Sequence, residues 1–190
     1  ASAMGEGDRR VAETDPESSI RSKLPGQRLS VRFVTPPRRM YHKYYNVICN
    51  PLLWFLHHYM WSAPYTPNID NTVYDAWSNG YGPVNRAFAD AIVSEVDPTA
   101  QHPIVMIHDY HLYLTSGMVR QALPNAIIQH FTHVPWPSPS SWQLLPDSMR
   151  SVICGSLCDA DVAGFQSPWD AHNFLETCRW FVKGAEIDYE

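Results

Sequence analysis

Two short segments place chemically capable side chains at the end of an apolar run. In the first, Ile104-Val105-Met106-Ile107 leads into His108-Asp109-Tyr110-His111; in the second, Ala126 to Phe131 leads into His133-Val134-Pro135-Trp136-Pro137. In an open parallel sheet, ligands bind beyond the carboxyl ends of the strands, so such ends are candidates for one binding pocket. His108, Asp109 and His111 together also carry the ligand types of a metal-dependent hydrolase, although several such groups must converge to make a site. A His or Asp after a strand serves equally well as a helix cap or as a partner for backbone groups. The aromatics Tyr59, Trp61, Tyr65, Tyr74, Trp77 and Tyr81 crowd a stretch read as loop-rich. They can be core, or they can present flat faces to a sugar.

The elements that must position these ends follow from the apolar pattern. Ile104 to Ile107, Ala126 to Phe131 and Val162 to Phe165 are short continuous apolar runs, as expected of parallel strands covered on both faces. Between and after them lie helical stretches over 112–123, 147–157 and from Ser167 onward. The last opens with a capping serine, Pro168 at the first helical position and Asp170 three residues after the cap. Strand-helix alternation of this kind signals an α/β domain, Rossmann-like, with a parallel sheet flanked by helices. Right-handed crossovers put all strand ends on one edge, so Asp109 and His133 are expected at one pocket beyond the carboxyl ends of the strands. Upstream, 40–59 has helical spacing interrupted at Pro51, which two helical segments or one kinked helix would serve, and 84–96 is helical until Asp97-Pro98. Leu29 to Val34 alternates as a strand does, and residues 1–28 are polar and read as a loop or partly ordered excursion. The working division is therefore 1–28 and a domain over 29–190.

Composition narrows the classes. The chain has 190 residues, 45% apolar and 17% charged, which fits one globular domain. A net charge of −5 argues against a nucleic-acid binder. The richest apolar segment, Leu52 to Trp61, is interrupted by His57 and His58 and is too short to cross a bilayer. The first residues do not read as a signal peptide. Cys49, Cys154, Cys158 and Cys178 fit no tight zinc spacing. They read as reduced core thiols, with Cys154 and Cys158 able to meet on one helix, and the expected compartment is the cytoplasm.

At this point the residues resemble a known family. Val105-Met106-Ile107-His108-Asp109-Tyr110-His111-Leu112 is similar to a strand-end motif of the trehalose-6-phosphate synthases. Gln129-His130-Phe131-Thr132-His133-Val134-Pro135-Trp136-Pro137-Ser138 is similar to their second, usually Phe-Leu-His-Ile-Pro-Phe-Pro-Ser. Leu144-Leu145-Pro146, Asp161 to Gln166, Tyr44-Tyr45-Asn46, Leu53-Trp54 and His58-Tyr59 extend the match, in order, over about 40–180. The resemblance implies a GT-B glycosyltransferase of two Rossmann-like domains, with this chain part of the N-terminal, acceptor-side one. It implies retaining transfer of glucose from a nucleotide-glucose donor, UDP-glucose by preference, to glucose 6-phosphate, giving trehalose 6-phosphate. By the same resemblance Tyr59, Trp77 and Asp109 correspond to acceptor contacts and His133 to a donor-sugar contact, with Asp109 and His133 carrying the catalysis. No cofactor, covalent nucleophile or bound metal is implied, and a homo-oligomeric full-length parent is compatible with it.

The chain departs from the family at Thr132, where leucine is usual, and at Trp136, where phenylalanine is usual. These changes admit a related synthase or pseudo-glycosyltransferase with another acceptor, or a non-catalytic sugar-phosphate-binding module. The family's glycine-rich donor loop, its acceptor-binding arginine and the whole C-terminal donor domain have no counterpart. The expectation is therefore a fragment that is inactive by itself.

Overall fold

The computed structural model describes residues 6–14, 31–62, 64 and 66–189. The chain divides into two compact units, Ala1–Pro37 and Arg38–Glu190. In the first, the expected polar excursion contains a helix, α1 (Glu6–Thr14); the rest of 1–28 lies outside the described residues. Its Glu, Arg and Ala residues favour a helix without needing an apolar stripe, and the Thr14 hydroxyl closes the last turn on the Arg10 carbonyl at 2.8 Å. The strand expected over 29–34 is not formed among the described residues 31–34, where Val34 alone makes an isolated bridge; Leu29 and Ser30 lie outside them.

The second unit opens with one continuous helical path: α2 (Arg38–His42), a π-helical stretch Lys43–Leu53, and α3 (Trp54–His57). Pro51 does not break it. A proline ring clashes with the carbonyl four residues back in an α-helix, and the wider π register, seen where the Trp54 N–H reaches the Cys49 carbonyl, accommodates it. A second path runs from α4 (Asn71–Ala76) through a π-helical Trp77–Tyr81 into α5 (Gly82–Glu95). Asp70 caps it, its Oδ1 accepting from the Thr72 N–H at 2.8 Å. Tyr74, Trp77 and Tyr81, expected in loop, are therefore helical. The two π stretches cross where Gly80 stands, and a Cβ there would lie 2.5 Å from the Lys43 Cβ. Only glycine permits that approach.

Three parallel strands follow in the order β1 (Ile104–His108), β2 (Ile127–Phe131) and β3 (Val162–Gly164). His108 pairs with Phe131, and Phe131 with Gly164, so the carboxyl ends are level. The helices between and after them are α6 (Thr115–Ala122), α7 (Pro139–Trp142), α8 (Asp147–Cys158) and α9 (Pro168–Phe181). The expected helix from Leu112 starts later, after a 3-10 turn over Tyr110–Leu112. At α9 the Ser167 hydroxyl accepts from the Asp170 N–H at 3.2 Å, as the capping pattern predicts.

Among the described residues the sheet is covered on one face only, contrary to the sequence expectation. Val105, Ile107 and Ile128 bury against Ala89 of α5 and Val119 of α6. The alternate residues Ile104, Met106, Ile127 and Val162 remain exposed, Ile104 at 72%. The larger core joins the 38–57 and 71–95 helices to Trp136, Trp142, α8 and α9. All four cysteines are free. Cys158 lies 3.6 Å, sulfur to sulfur, from Cys178 on α9.

Candidate functional site

Asp109 is the first residue after β1, and its backbone is unusual. It has φ 72° and ψ 168°, a region populated almost only by glycine. Among the described residues the only other non-glycine residue at positive φ is Tyr59, at 56°. Both are positions that the family resemblance implies for the acceptor. Such a conformation costs about 1–3 kcal/mol and persists only when neighbours over-determine it. Here the Asp109 N–H donates to the Phe131 carbonyl at 2.8 Å, continuing the ladder. The Asp109 carbonyl accepts from the Leu112 N–H at 3.2 Å and faces the His130 Nε2 at 3.2 Å.

The resulting turn aims the Asp109 carboxylate at the second strand end. Its Oδ1 accepts from the His133 N–H at 3.3 Å, so the two residues singled out in sequence meet directly. Its Oδ2 lies 3.8 Å from the His111 Nδ1. Burial holds His111 below the usual imidazole range, against the pull of Asp109, so that neighbour is a weak counter-charge near neutral pH. The His133 ring is exposed and shares a 2.9 Å hydrogen bond with the His108 Nδ1 through its Nε2. His108 therefore pairs across the strand ends with His133. Among the described residues no three His, Cys, Asp or Glu side chains are grouped to hold a metal, the arrangement that a hydrolase built on His108, Asp109 and His111 would need.

Tyr59 and Trp77 are not among the residues that meet at Asp109; each connects to its turn through other side chains. A cavity of about 660 Å³ is lined by Tyr45, Asn50, Pro51, Trp54, Tyr110 and His111, among others, and so abuts the turn that Asp109 begins. The His58 ring stacks on Trp54 at 3.7 Å, and the exposed Tyr59 follows it. Trp77 stacks on Tyr81 at 4.9 Å, and the Tyr81 hydroxyl donates to the Tyr110 carbonyl at 2.6 Å. Of the aromatic group, Tyr81 is core, while Tyr59 and Tyr74 present exposed rings.

Sequence reasoning missed the residues that brace the site from beneath. His57 is fully buried, with Nδ1 donating to the Pro135 carbonyl at 2.8 Å and Nε2 accepting from the Tyr113 hydroxyl at 3.0 Å. His130, also buried, touches Ser116 and Asp109. Burial pushes both imidazoles down to about 4. His130 left one signal, a polar residue at an inward position of an apolar strand. The departure at Trp136 is likewise structural: its ring is buried, stacked on Trp142 at 4.6 Å, and its indole N–H donates to the Thr177 hydroxyl at 3.1 Å, while its backbone N–H donates to the Asp170 carboxylate at 2.8 Å.

Comparison with known proteins identifies the family and the fold. A model described as Glycosyltransferase family 20 matches residues 5–189. The validamine 7-phosphate valienyltransferase of Streptomyces hygroscopicus subsp. jinggangensis is 30% identical over 190 residues, 100% of this chain and 38% of that protein. A putative alpha,alpha-trehalose-phosphate synthase (UDP-forming) 106 kDa subunit of Schizosaccharomyces pombe is 38% identical over 139 residues, 73% of this chain and 14% of that one. The chain thus spans well under half the length of these curated relatives. Among solved structures, the N-terminal domain of Candida albicans trehalose-6-phosphate phosphatase matches with a TM-score of 0.74 and 29% identity, covering 96% of this chain and 35% of that one. The parallel α/β sheet and these neighbours place the fold in the N-terminal, Rossmann-like half of the GT-B architecture. With the family pattern matched across almost its whole length, the chain belongs to glycosyltransferase family 20.

Proposed function

We propose that this chain forms the acceptor side of a retaining glycosyltransferase that moves glucose from a nucleotide-glucose donor, UDP-glucose by preference, to glucose 6-phosphate, giving trehalose 6-phosphate. The observation that carries the reading is the Asp109 carboxylate, held in a strained turn beside a cavity of about 660 Å³ and bonded to the backbone of His133. Asp109 orients the acceptor hydroxyl, because an ionised carboxylate can only accept and so fixes where that hydroxyl proton points. Tyr59 donates to a phosphate oxygen of the acceptor, Trp77 packs on the acceptor side, and His133 holds a hydroxyl of the donor glucose. Positioning two substrates together accounts for much of such a reaction, and effective molarities can supply roughly 7–11 kcal/mol of the barrier. The donor phosphates would be held by residues outside this chain, so the 190-residue chain alone is expected to bind the acceptor without turnover. The free thiols suit a reducing compartment such as the cytoplasm.

A second reading rests on the comparisons. Identity over the whole chain with a valienyltransferase named for validamine 7-phosphate favours another phosphorylated acceptor on the same site. The likeness to a domain of a trehalose-6-phosphate phosphatase favours a module that binds a sugar phosphate without transferring a sugar.

The test is a coupled assay on the full-length parent with UDP-glucose and glucose 6-phosphate, following UDP release and product mass. A product of the mass of trehalose 6-phosphate supports the main reading. UDP release only with another phosphorylated acceptor moves the specificity, and no turnover with any sugar phosphate supports the binding module.

A further inference from the structure

His130 occupies an inward position of β2, at 1% exposure, with no part in the reaction proposed above. Its surroundings define its chemical state. The Nε2 faces the Asp109 carbonyl at 3.2 Å, and a carbonyl can only accept, so Nε2 carries the proton. The Nδ1 lies 2.9 Å from the Ser116 hydroxyl on α6. Burial keeps the ring neutral near pH 7; Nδ1 is therefore bare, and the Ser116 hydroxyl donates to it. Ser116 itself is fully buried, so this proton arrangement is shielded from exchange with solvent. The chain of contacts thus runs in one direction: Ser116 hydroxyl to His130 Nδ1, then His130 Nε2–H to the Asp109 carbonyl.

That carbonyl belongs to the residue at φ 72° and ψ 168°. Rotating Asp109 back to an ordinary β conformation would swing its peptide away from Nε2. It would then strand a buried imidazole N–H, at a penalty comparable with the strain relieved. We infer that His130 is a positioning residue that locks the Asp109 backbone in its strained turn, and that Ser116 sets the tautomer that makes the lock possible. The consequence for ligand binding rests on the acceptor role proposed for Asp109; the lock itself does not.

The test separates the two. Equilibrium unfolding is measured on the chain carrying His130→Leu, Asp109→Gly and both, and on His130→Gln, whose amide can donate from the ε position. Glycine adopts φ 72° freely, so a lock is needed less there. His130→Leu should lower the folding equilibrium constant at least fivefold less in the Asp109→Gly chain than in the parent, and His130→Gln should recover most of the loss. Nitrogen-15 spectra of labelled histidine supply a readout that packing alone would not move: Nε2 of His130 protonated and Nδ1 bare, with the Nδ1 resonance shifting in Ser116→Ala. These spectra need only folded wild-type and Ser116→Ala protein, so they decide the matter even where His130→Leu fails to fold. Titration with glucose 6-phosphate should then show affinity falling about tenfold in His130→Leu or Ser116→Ala, with recovery in His130→Gln. Equal costs of His130→Leu in both backgrounds, or a proton on Nδ1, would overturn the lock. An intact lock with no glucose 6-phosphate binding by wild type would leave this inference standing and remove the acceptor reading instead.

Discussion

The two ends of the three-stranded sheet are built to opposite specifications. At the amino ends, Arg120 engages four of its five N–H donors. Its guanidinium donates to the carbonyls of Asp159 at 3.1 Å, Pro124 at 2.8 Å and Ala126 at 2.7 Å, and to the Asp161 carboxylate at 2.7 Å. Asp161 also accepts the Ile128 N–H at 2.7 Å, and that bond, with Arg120, holds its carboxyl below the usual range. At the carboxyl ends, the Asp109 carboxylate meets a backbone N–H at 3.3 Å and a weakly basic imidazole at 3.8 Å, on a backbone that only glycine adopts without strain. One end spends its polar groups on joining loops to strands. The other keeps a carboxylate and an imidazole available and strained, as a site that must offer hydrogen bonds to a ligand requires.

Acid should separate the ends most strongly. His57 and His130 brace the carboxyl end, and each has its folded value lowered to about 4 from an unfolded value near 6.5. Above about pH 6.5 both rings are neutral whether folded or not, so their contribution is complete. As pH falls from about 6.5 to about 4 the unfolded chain takes up protons that the folded one refuses, and stability drops by roughly 3 kcal/mol per ring at most. The Asp161 contact has the same sign in a lower window: its lowered value stabilises above the ordinary carboxylate range and is lost only at more acid pH. Urea unfolding at pH 7 and pH 4.5 checks this. A midpoint unchanged between them would remove the buried histidines from the account.

Next in size is Arg120→Ala, which orphans carbonyls and a carboxylate together and should cost about 2–4 kcal/mol of stability. Glucose 6-phosphate affinity should stay within about twofold of the parent, because the substitution lies at the far end of the strands. Gly80→Ala should cost about 1–3 kcal/mol by overpacking the helix crossing, read as a lower melting temperature. The smallest effect is expected from His108→Asn. The ring is exposed and an amide can replace its Nδ1 contact to His133, so stability should change by less than about 0.5 kcal/mol.

The strands and the last helices are largely legible in sequence, because apolar runs, the Ser167-Pro168 cap and the spacing of α8 are local signals; nothing in the pattern singles out Arg120 at the amino end. Less was legible where the backbone departs from the common periods. Pro51 reads as a break because a π register has no sequence signature, and Trp77 and Tyr81 read as loop for the same reason. The helix Glu6–Thr14 lacks the apolar stripe that would announce it. Positive φ is ordinarily signalled by glycine, so nothing in Tyr59 or Asp109 as residue types foretells their conformation; the strand-end position singles out Asp109, and resemblance to a family adds Tyr59. The exposed face of the sheet is not legible because an apolar run by itself does not distinguish one covered face from two.

The most direct test of the contrast is Asp109→Gly, measured for unfolding free energy and for glucose 6-phosphate affinity in the same preparation. Glycine relieves the strain and deletes the carboxylate, so stability should equal or exceed that of the parent, by up to about 1 kcal/mol, with acceptor binding lost. A chain destabilised to the extent expected of Arg120→Ala, or one that still binds glucose 6-phosphate as the parent does, would contradict the contrast.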